Sequence, residues 1–401
     1  MTINKEKKEL DILDYQKNLL ENRSYIDLFL NKIFQQAIEM EVSDIHIEPG
    51  EKEFRIRVRE DGDLLELGKY NLEKYNPLLS RVKIICGLNI AEKRIPQSGR
   101  FNGKYKKINY DFRVSIIPTY FGEKISIRVL KRNQVIKSLL ELGINKNICN
   151  NCFKILKKKS GMILIAGPMG EGKTTTLYSI LNEINTKTKN ITTIEDPVEY
   201  LIEGINQIQC NEDLGLNFSE LLKIILRQDS DIIVIGEIRD KTTASVALTA
   251  SLTGHLILST IHSKNSISSL KRLQDLGVDI KLLLEGITGI LSQHLLRQLC
   301  PYCKIIDNDY LEKLKDLNLT TKDLKDKTIY KKSQGCEKCN FKGYIGRIPL
   351  VEFLLKKQNL SLDKIKIDNI KEAFKINSLI NDGVRLVLEG KISLDELLRV
   401  I

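Results

Sequence analysis

The sequence predicts an α/β protein: a phosphate-loop core with a parallel sheet, preceded by a small α+β domain and followed by a helical C-terminal region holding a four-cysteine zinc element. Three observations carry this reading. Short runs without charge, apolar at 162–166, 232–235 and 256–258 and Ile-Thr-Thr-Ile at 191–194, alternate with longer helical patterns, as strands buried on both faces between helices do. A glycine-rich segment, 167–174, directly follows the first run, and two CxxC pairs stand at Cys300/Cys303 and Cys336/Cys339. The chain of 401 residues has room for two to three domains at roughly 150 residues each. At 42% hydrophobic and 29% charged residues it is neither a disordered chain nor a disulfide-stapled mini-protein. A net charge of +11 favours acidic partners without choosing among nucleic acid, anionic lipid and phosphates.

Residues 1–22 are charged and read as a leader helix or a tail; with no apolar leader in them, the chain is expected in the cytosol. The small domain spans 23–131. It opens with an amphipathic helix (Ile26, Phe29, Ile33, Phe34, Ala37), and alternation follows at Ile45/Ile47, Phe54/Ile56/Val58 and Leu65/Leu67. A second helix fits 77–87, with further strands at 110–116 and 124–129. Residues 132–147 read as a linker, 148–270 as the core and 271–401 as the C-terminal region, helical to Leu299 and again from Phe374, with the zinc element at 300–339. The uncharged stretch 242–263 changes character midway, so it reads as a buried helix and strand and not as a membrane span.

Gly167, Pro168, Met169, Gly170, Glu171, Gly172, Lys173 and Thr174 spell GxxxxGKT between a strand and a helix. There the glycines let backbone N–H groups cradle phosphate at a positive helix N-terminus. Lys173 is expected to reach the β and γ phosphates of ATP, and Thr174, followed by Thr175, to ligate Mg²⁺. Glu171 is an unusual acid in such a loop and is expected to point outward, where it tunes affinity or reaches a neighbouring subunit. Glu237 ends an apolar strand and can hold the Mg²⁺ shell or polarise a water. Glu195, followed by Asp196, ends another strand and can serve as general base. His255 and His262 bracket the strand at 256–260, and one of them near the phosphates could sense the γ group. The two CxxC pairs suit a tetrahedral, structural Zn²⁺ bound by Cys300, Cys303, Cys336 and Cys339. Cys149 and Cys152 form a third pair, read as inert, and Cys86 and Cys210 read as core packing.

Several segments resemble the motor ATPases of type IV pilus assembly and type II secretion. The residues ITTIEDPVEY (191–200) look like that family's Asp box, LRQDSDIIVIGEIRD (226–240) like its Walker B segment and TGHLILSTIHS (253–263) like its His box. SDIHIE (43–48), LNIAEKRIPQSGR (88–100) and DFRVSIIPTYFGEKISIRVL (111–130) are similar to its second N-terminal domain. Met169 and Glu171 depart from the Thr and Ser usual in the family's loop. With the match starting near Ser43, the family's long first domain is expected to be missing or reduced to a helix.

The resemblance implies a hexameric ring of RecA-like cores binding ATP between subunits. It implies Glu195 as base, Glu237 as Walker B acid, and His255 and His262 as nucleotide sensors. Arg100 and Arg113 become charges supplied from the small domain. It also implies a motor that assembles pilin or pseudopilin filaments with an inner-membrane platform protein, cytoplasmic and peripheral to the membrane. The zinc element is typical of assembly motors and not of retraction motors. A nucleic-acid translocase is the alternative of another class. The chain has no Trp and only 6% aromatic residues, which gives little for stacking bases, so no specific nucleic acid is expected as a partner.

Overall fold

The computed structural model describes residues 9–11, 24–131, 136–316, 327–357 and 367–401, in two compact units, Met1–Val135 and Ile136–Ile401.

In the first unit β1 (Glu9–Asp11) precedes α1 (Tyr25–Glu39), whose N-terminus is capped by the Ser24 hydroxyl. Strands β2 (Asp44–Pro49), β3 (Glu53–Glu60) and β4 (Asp63–Asn71) follow, then α2 (Tyr75–Cys86), ended by Gly87 at φ 69°. Strands β5 (Gln97–Tyr105), β6 (Ile108–Thr119) and β7 (Gly122–Lys131) complete a seven-stranded sheet of order β1-β5-β6-β7-β2-β3-β4. Alternation sorts its faces. Phe54, Ile56 and Val58 join Leu30, Phe34 and Leu78 in one core, while the intervening Arg55, Arg57 and Arg59 point the other way. On that polar side the register forms a row: Arg59 opposite Asp44, Asp44 opposite Arg128, Arg128 opposite Arg113, Arg113 opposite Arg100.

Two expectations change here. Strand β5 carries too little alternation to be read from sequence. Glu9–Asp11, placed in a leader helix or tail, is a strand running parallel to Asn102–Lys104; the rest of 1–22 lies outside the described residues.

The second unit begins with packed chain. Leu139 and Ile144 are buried in the core beside α3 (Lys146–Leu156), so 136–147 is no loose linker, and 132–135 lie outside the described residues. Next come β8 (Gly161–Ala166), α4 (Lys173–Ile184), β9 (Ile191–Glu195), β10 (Asn206–Gln209), α5 (Phe218–Ile225) and β11 (Ile232–Ile235). The order continues with α6 (Lys241–Leu252), β12 (Leu256–Ile261), α7 (Ser266–Asp275), α8 (Ile280–Gly286) and β13 (Ile287–Leu299). A small hairpin, β14 (Ile305–Ile306) with β15 (Tyr330–Lys331), flanks α9 (Tyr310–Asp316). Strands β16 (Tyr344–Lys356) and β17 (Phe374–Asn377) and helices α10 (Leu379–Leu388) and α11 (Leu394–Leu398) end the unit.

The sheet runs β10-β9-β11-β12-β8-β13-β16-β17. It is parallel from β10 to β13 and antiparallel beyond. Every residue of β8, β9, β11 and β12 is buried, as the apolar runs predict. The C-terminal region is the main correction. Ile287–Leu299, read as helix, is a 13-residue strand beside β8, and β16, of equal length, pairs with it. The segment is buried on both faces for much of its length, so it shows no alternation. Gly289 packs so tightly that a Cβ there would lie 2.6 Å from Ile155.

Candidate active site and metal centre

The predicted phosphate loop leaves β8 at the carboxyl edge of the sheet, where ligands bind in open parallel sheets. Two of its glycines are dictated by geometry. Gly172, at φ 75°, is the left-handed residue that opens α4. A Cβ on Gly167 would lie 2.5 Å from the Gln293 carbonyl oxygen on β13.

Lys173 is the first residue of α4 and only 7% exposed. Its ammonium donates to the carbonyls of Gly167 (2.9 Å) and Pro168 (2.7 Å) and lies 3.2 Å from His262 Nδ1. Burial pushes its pKa down to about 8, against the upward pull of Glu237 and Glu171. His262 follows β12 at the same edge. Burial and then the charge of Lys173 lower it too, while its Nε2 stands 3.4 Å from Glu237. Glu237 in turn accepts from Arg239 Nη2, and Arg239 Nη1 reaches Asp196 at 3.3 Å. Lys173, His262, Glu237, Arg239 and Asp196 thus form one chain of ionisable groups across the ends of β8, β12, β11 and β9. Thr174 and Thr175 are exposed on the first turn of α4, and Met169 is exposed in the loop.

Other predicted residues sit differently. Glu195 is at this edge but buried. Its oxygens accept from the Tyr178 hydroxyl, from Thr193 Oγ1 (2.5 Å) and from Gln207 Nε2 (3.1 Å). His255 is not brought to the cluster. It precedes β12, level with Gly161 at the start of β8, and the six residues of β12 put it about 20 Å from the loop mouth. Its Nδ1 is buried without a hydrogen-bond partner. The outward course expected for Glu171 is also overturned, since its carboxylate accepts the backbone N–H of Leu295 on β13. Arg100 and Arg113, in the other unit, are direct cross-strand partners.

Three participants escaped sequence reasoning: Arg239, Tyr178 and Gln293. Arg239 lies within the segment around Glu237, and a buried Gln in an apolar run was the available signal for Gln293. Tyr178 carries none.

The four cysteines converge. Cys300 and Cys303 follow β13, and Cys336 and Cys339 flank a short 3-10 turn. All four Sγ atoms lie within 4.8 Å of one another, with Cys300–Cys336 at 3.9 Å, Cys303–Cys339 at 3.8 Å and Cys336–Cys339 at 3.9 Å. Four thiolates held tetrahedrally about 2.3 Å from a Zn²⁺ stand about 3.8 Å apart, so the donor set fits that ion. The backbone N–H groups of Cys336 and Gly343 each point at Cys339 Sγ from 3.2 Å. Against the penalty of burial they help hold that thiol down to about 6. Within the cluster the thiols share their protons unequally: against the downward pull of a Ser333 hydrogen bond, burial and the neighbouring Cys300, Cys336 and Cys339 push Cys303 up to about 12. Outside it, burial pushes Cys149 and Cys210 up to about 11 and Cys152 and Cys86 to about 12, in keeping with inert thiols.

The model of a family described as type II/IV secretion system protein matches residues 20–399. The chain is 38% identical to the type IV pilus assembly ATPase PilB of Thermus thermophilus over 92% of its own length, but spans only 42% of that relative. It is 38% identical to the type II secretion system ATPase E of Vibrio cholerae, covering 97% of this chain and 78% of the relative. For the pilus assembly ATPase PilB of Myxococcus xanthus the identity is 38%, with 97% and 70% covered. Among solved structures, the ATPase DotB of Legionella pneumophila aligns with a TM-score of 0.68 at 20% identity, over 97% of this chain and 98% of that one. The pilus retraction motor PilT with bound ADP aligns at 0.58 and 23% identity, over 92% and 96%. At these identities the structural likeness speaks for the fold alone.

Proposed function

The chain belongs to the type II/IV secretion system protein family, and from that premise we propose that it is a motor ATPase that drives assembly of pilin or pseudopilin filaments. The observation that carries this reading is the ionic chain at the loop mouth, where Lys173, His262 and Glu237 meet at the carboxyl edge of the sheet. Its parts divide the work of phosphoryl transfer, which is mostly positioning and charge neutralisation. The ammonium of Lys173 exchanges its two loop carbonyls for phosphate oxygens. The Thr174 hydroxyl and Glu237 would hold the shell of a Mg²⁺ ion, which would supply charge neutralisation at the phosphates. Neutral His262, between Lys173 and Glu237, senses the γ phosphate. Glu195 orients the attacking water and takes its proton, giving up one protein donor to do so.

Two further assignments complete the reading. Arg100 and Arg113 provide positive charge to nucleotide in a homohexameric ring. Like charges directly opposite in a sheet are destabilising, and the row of Arg128, Arg113 and Arg100, with Asp44 beside Arg128 and Asp111 beside Arg113, keeps an excess of positive charge that favours a polyanionic partner. The four cysteines hold a structural Zn²⁺, and that element favours filament assembly over retraction. The work is done at the cytoplasmic face of the inner membrane, through a platform protein. Among the described residues no helix is long and apolar enough to cross a membrane.

The test is ATP turnover by purified protein. Glu195→Gln is expected to bind nucleotide like the parent and to lose hydrolysis; a variant that binds more weakly yet turns over bound nucleotide at the parent's rate refutes the base assignment. Arg113→Ala is expected to lower turnover by roughly 10³-fold, and specific activity of the parent to climb with protein concentration as rings complete. Full activity in a demonstrably monomeric sample, or stimulation by single-stranded DNA, speaks for another kind of enzyme.

A further inference from the structure

Strand β13 outruns its neighbour. Its pairing with β8 stops at Ser292 opposite Ala166, whereas the strand continues along β16 to Leu299. Past Ser292 the edge that had faced β8 has no strand beside it, and buried backbone N–H groups need acceptors wherever they fall. The phosphate loop takes that place. Gln293, 2% exposed, donates from Nε2 to the Glu171 carbonyl (2.6 Å) and accepts at Oε1 from Thr176 Oγ1 (2.7 Å). One residue pair further on, the Glu171 carboxylate accepts the Leu295 N–H. The fit is close, since a Cβ on Gly172 would lie 2.9 Å from Gln293 Nε2.

An ionised carboxylate can only accept hydrogen bonds, and in a loop meant for phosphate its charge works against the ligand. Lys173 feels that charge. The gain that offsets it is mechanical. We propose that Glu171 is a positioning residue of the nucleotide loop: its carboxylate stitches the loop to the free edge of β13, so that the backbone N–H groups of the loop stay converged on one phosphate position. This rests on the reading of the loop as a nucleotide site. The stitch lies on the side of the loop away from the His262–Glu237 chain, so it sets the shape of the cradle and takes no part in bond breaking.

The test compares the full-length parent with Glu171→Ala, Glu171→Gln and Lys173→Ala. It measures ADP affinity and the hydrogen exchange of the Leu295 amide. Glu171→Ala is expected to bind ADP about tenfold more weakly, the scale of one hydrogen bond to a charged group, and to exchange the Leu295 amide faster. Glu171→Gln keeps an acceptor oxygen at the same reach and is expected to recover most of both losses. Equal ADP affinities in the Ala and Gln variants overturn the proposal, because the carboxylate then acts by charge or not at all. Unchanged Leu295 exchange in Glu171→Ala overturns it too. Weakened binding in Lys173→Ala with none in Glu171→Ala sinks the stitch alone, whereas intact binding in Lys173→Ala sinks the nucleotide reading along with it.

Discussion

The loop mouth and the cysteine cluster are both convergent sets of polar side chains, but they meet their own needs differently. Lys173 has two carbonyls and an imidazole, and Glu237 and Asp196 share Arg239. Each charge there has a protein partner it can trade for a ligand atom. The four thiols lie within 4.8 Å of one another, three of the pairs at 3.8–3.9 Å, and a thiol is a poor hydrogen-bonding partner. Only Cys339 receives backbone N–H groups in number. The first set is arranged to exchange partners, the second to keep one. On the proposed reading, a nucleotide that comes and goes and an ion that stays would place these opposite demands on the fold.

The largest effect that sharpens this contrast is expected at the metal. Structural zinc binds with on the order of 10 kcal/mol that feeds directly into folding. Elemental analysis should find one zinc per chain. Cys303→Ser should release it and lower the melting temperature by on the order of 10 °C, with ADP affinity held within about threefold. Metal-free protein with unchanged melting ends the zinc assignment, and joint loss of metal and ADP binding erases the distinction between the sites.

Lys173→Ala comes next and has the opposite signature. Turnover should fall by roughly 10³-fold or more, while stability holds or rises by up to about 3 kcal/mol, because a buried amine whose charge is disfavoured has been removed. A large loss of stability would mean that Lys173 braces the fold as the cysteines do.

The smallest effect concerns pH. The amine of Lys173, at about 8 when folded, lies below its ordinary 10.5, so burial penalises the folded state at neutral pH. The penalty is relieved as pH climbs from 8 toward 10.5. Phosphate needs the charged form, so ADP affinity should weaken by up to roughly tenfold between pH 7 and pH 9, with proton uptake on binding in that window. A flat affinity profile would remove Lys173 from contact with the ligand.

Legibility in the sequence followed the range of the contacts. The strand–loop–helix around Lys173 is local, and β8, β9, β11 and β12 announce themselves because burial on two faces leaves them short β-branched or apolar runs, with threonine or serine in β9 and β12 and a charged residue only at the end of β9. The cysteine pairs are two local turns whose chemistry says they must meet. β13 was hidden by its composition. Ile287, Ile290, Leu291, Leu295 and Leu296 fall at helix-like spacing, and what makes the segment a strand is the open edge of β8, a partner far away in sequence. Glu171 stands out in its loop, but its partner does not, and Tyr178 carries no local signal, since the role of each is defined by an atom on another element. His255 was drawn toward the site by its resemblance to a motif, and only the length of β12 separates it from His262.

The place of β8 in the middle of its sheet also sets a timetable for the newborn chain. Its two neighbours, β12 and β13, come long after it, and until Ile287 has left the ribosome one side of an entirely apolar strand has nothing to pair with. At roughly 5–20 residues per second the interval from Gly161 to Ile287 lasts on the order of ten seconds. Throughout that time the nascent protein presents an open, sticky edge of the kind that recruits chaperones or other unfinished copies. Any truncation ending near Leu270 would make that interval permanent.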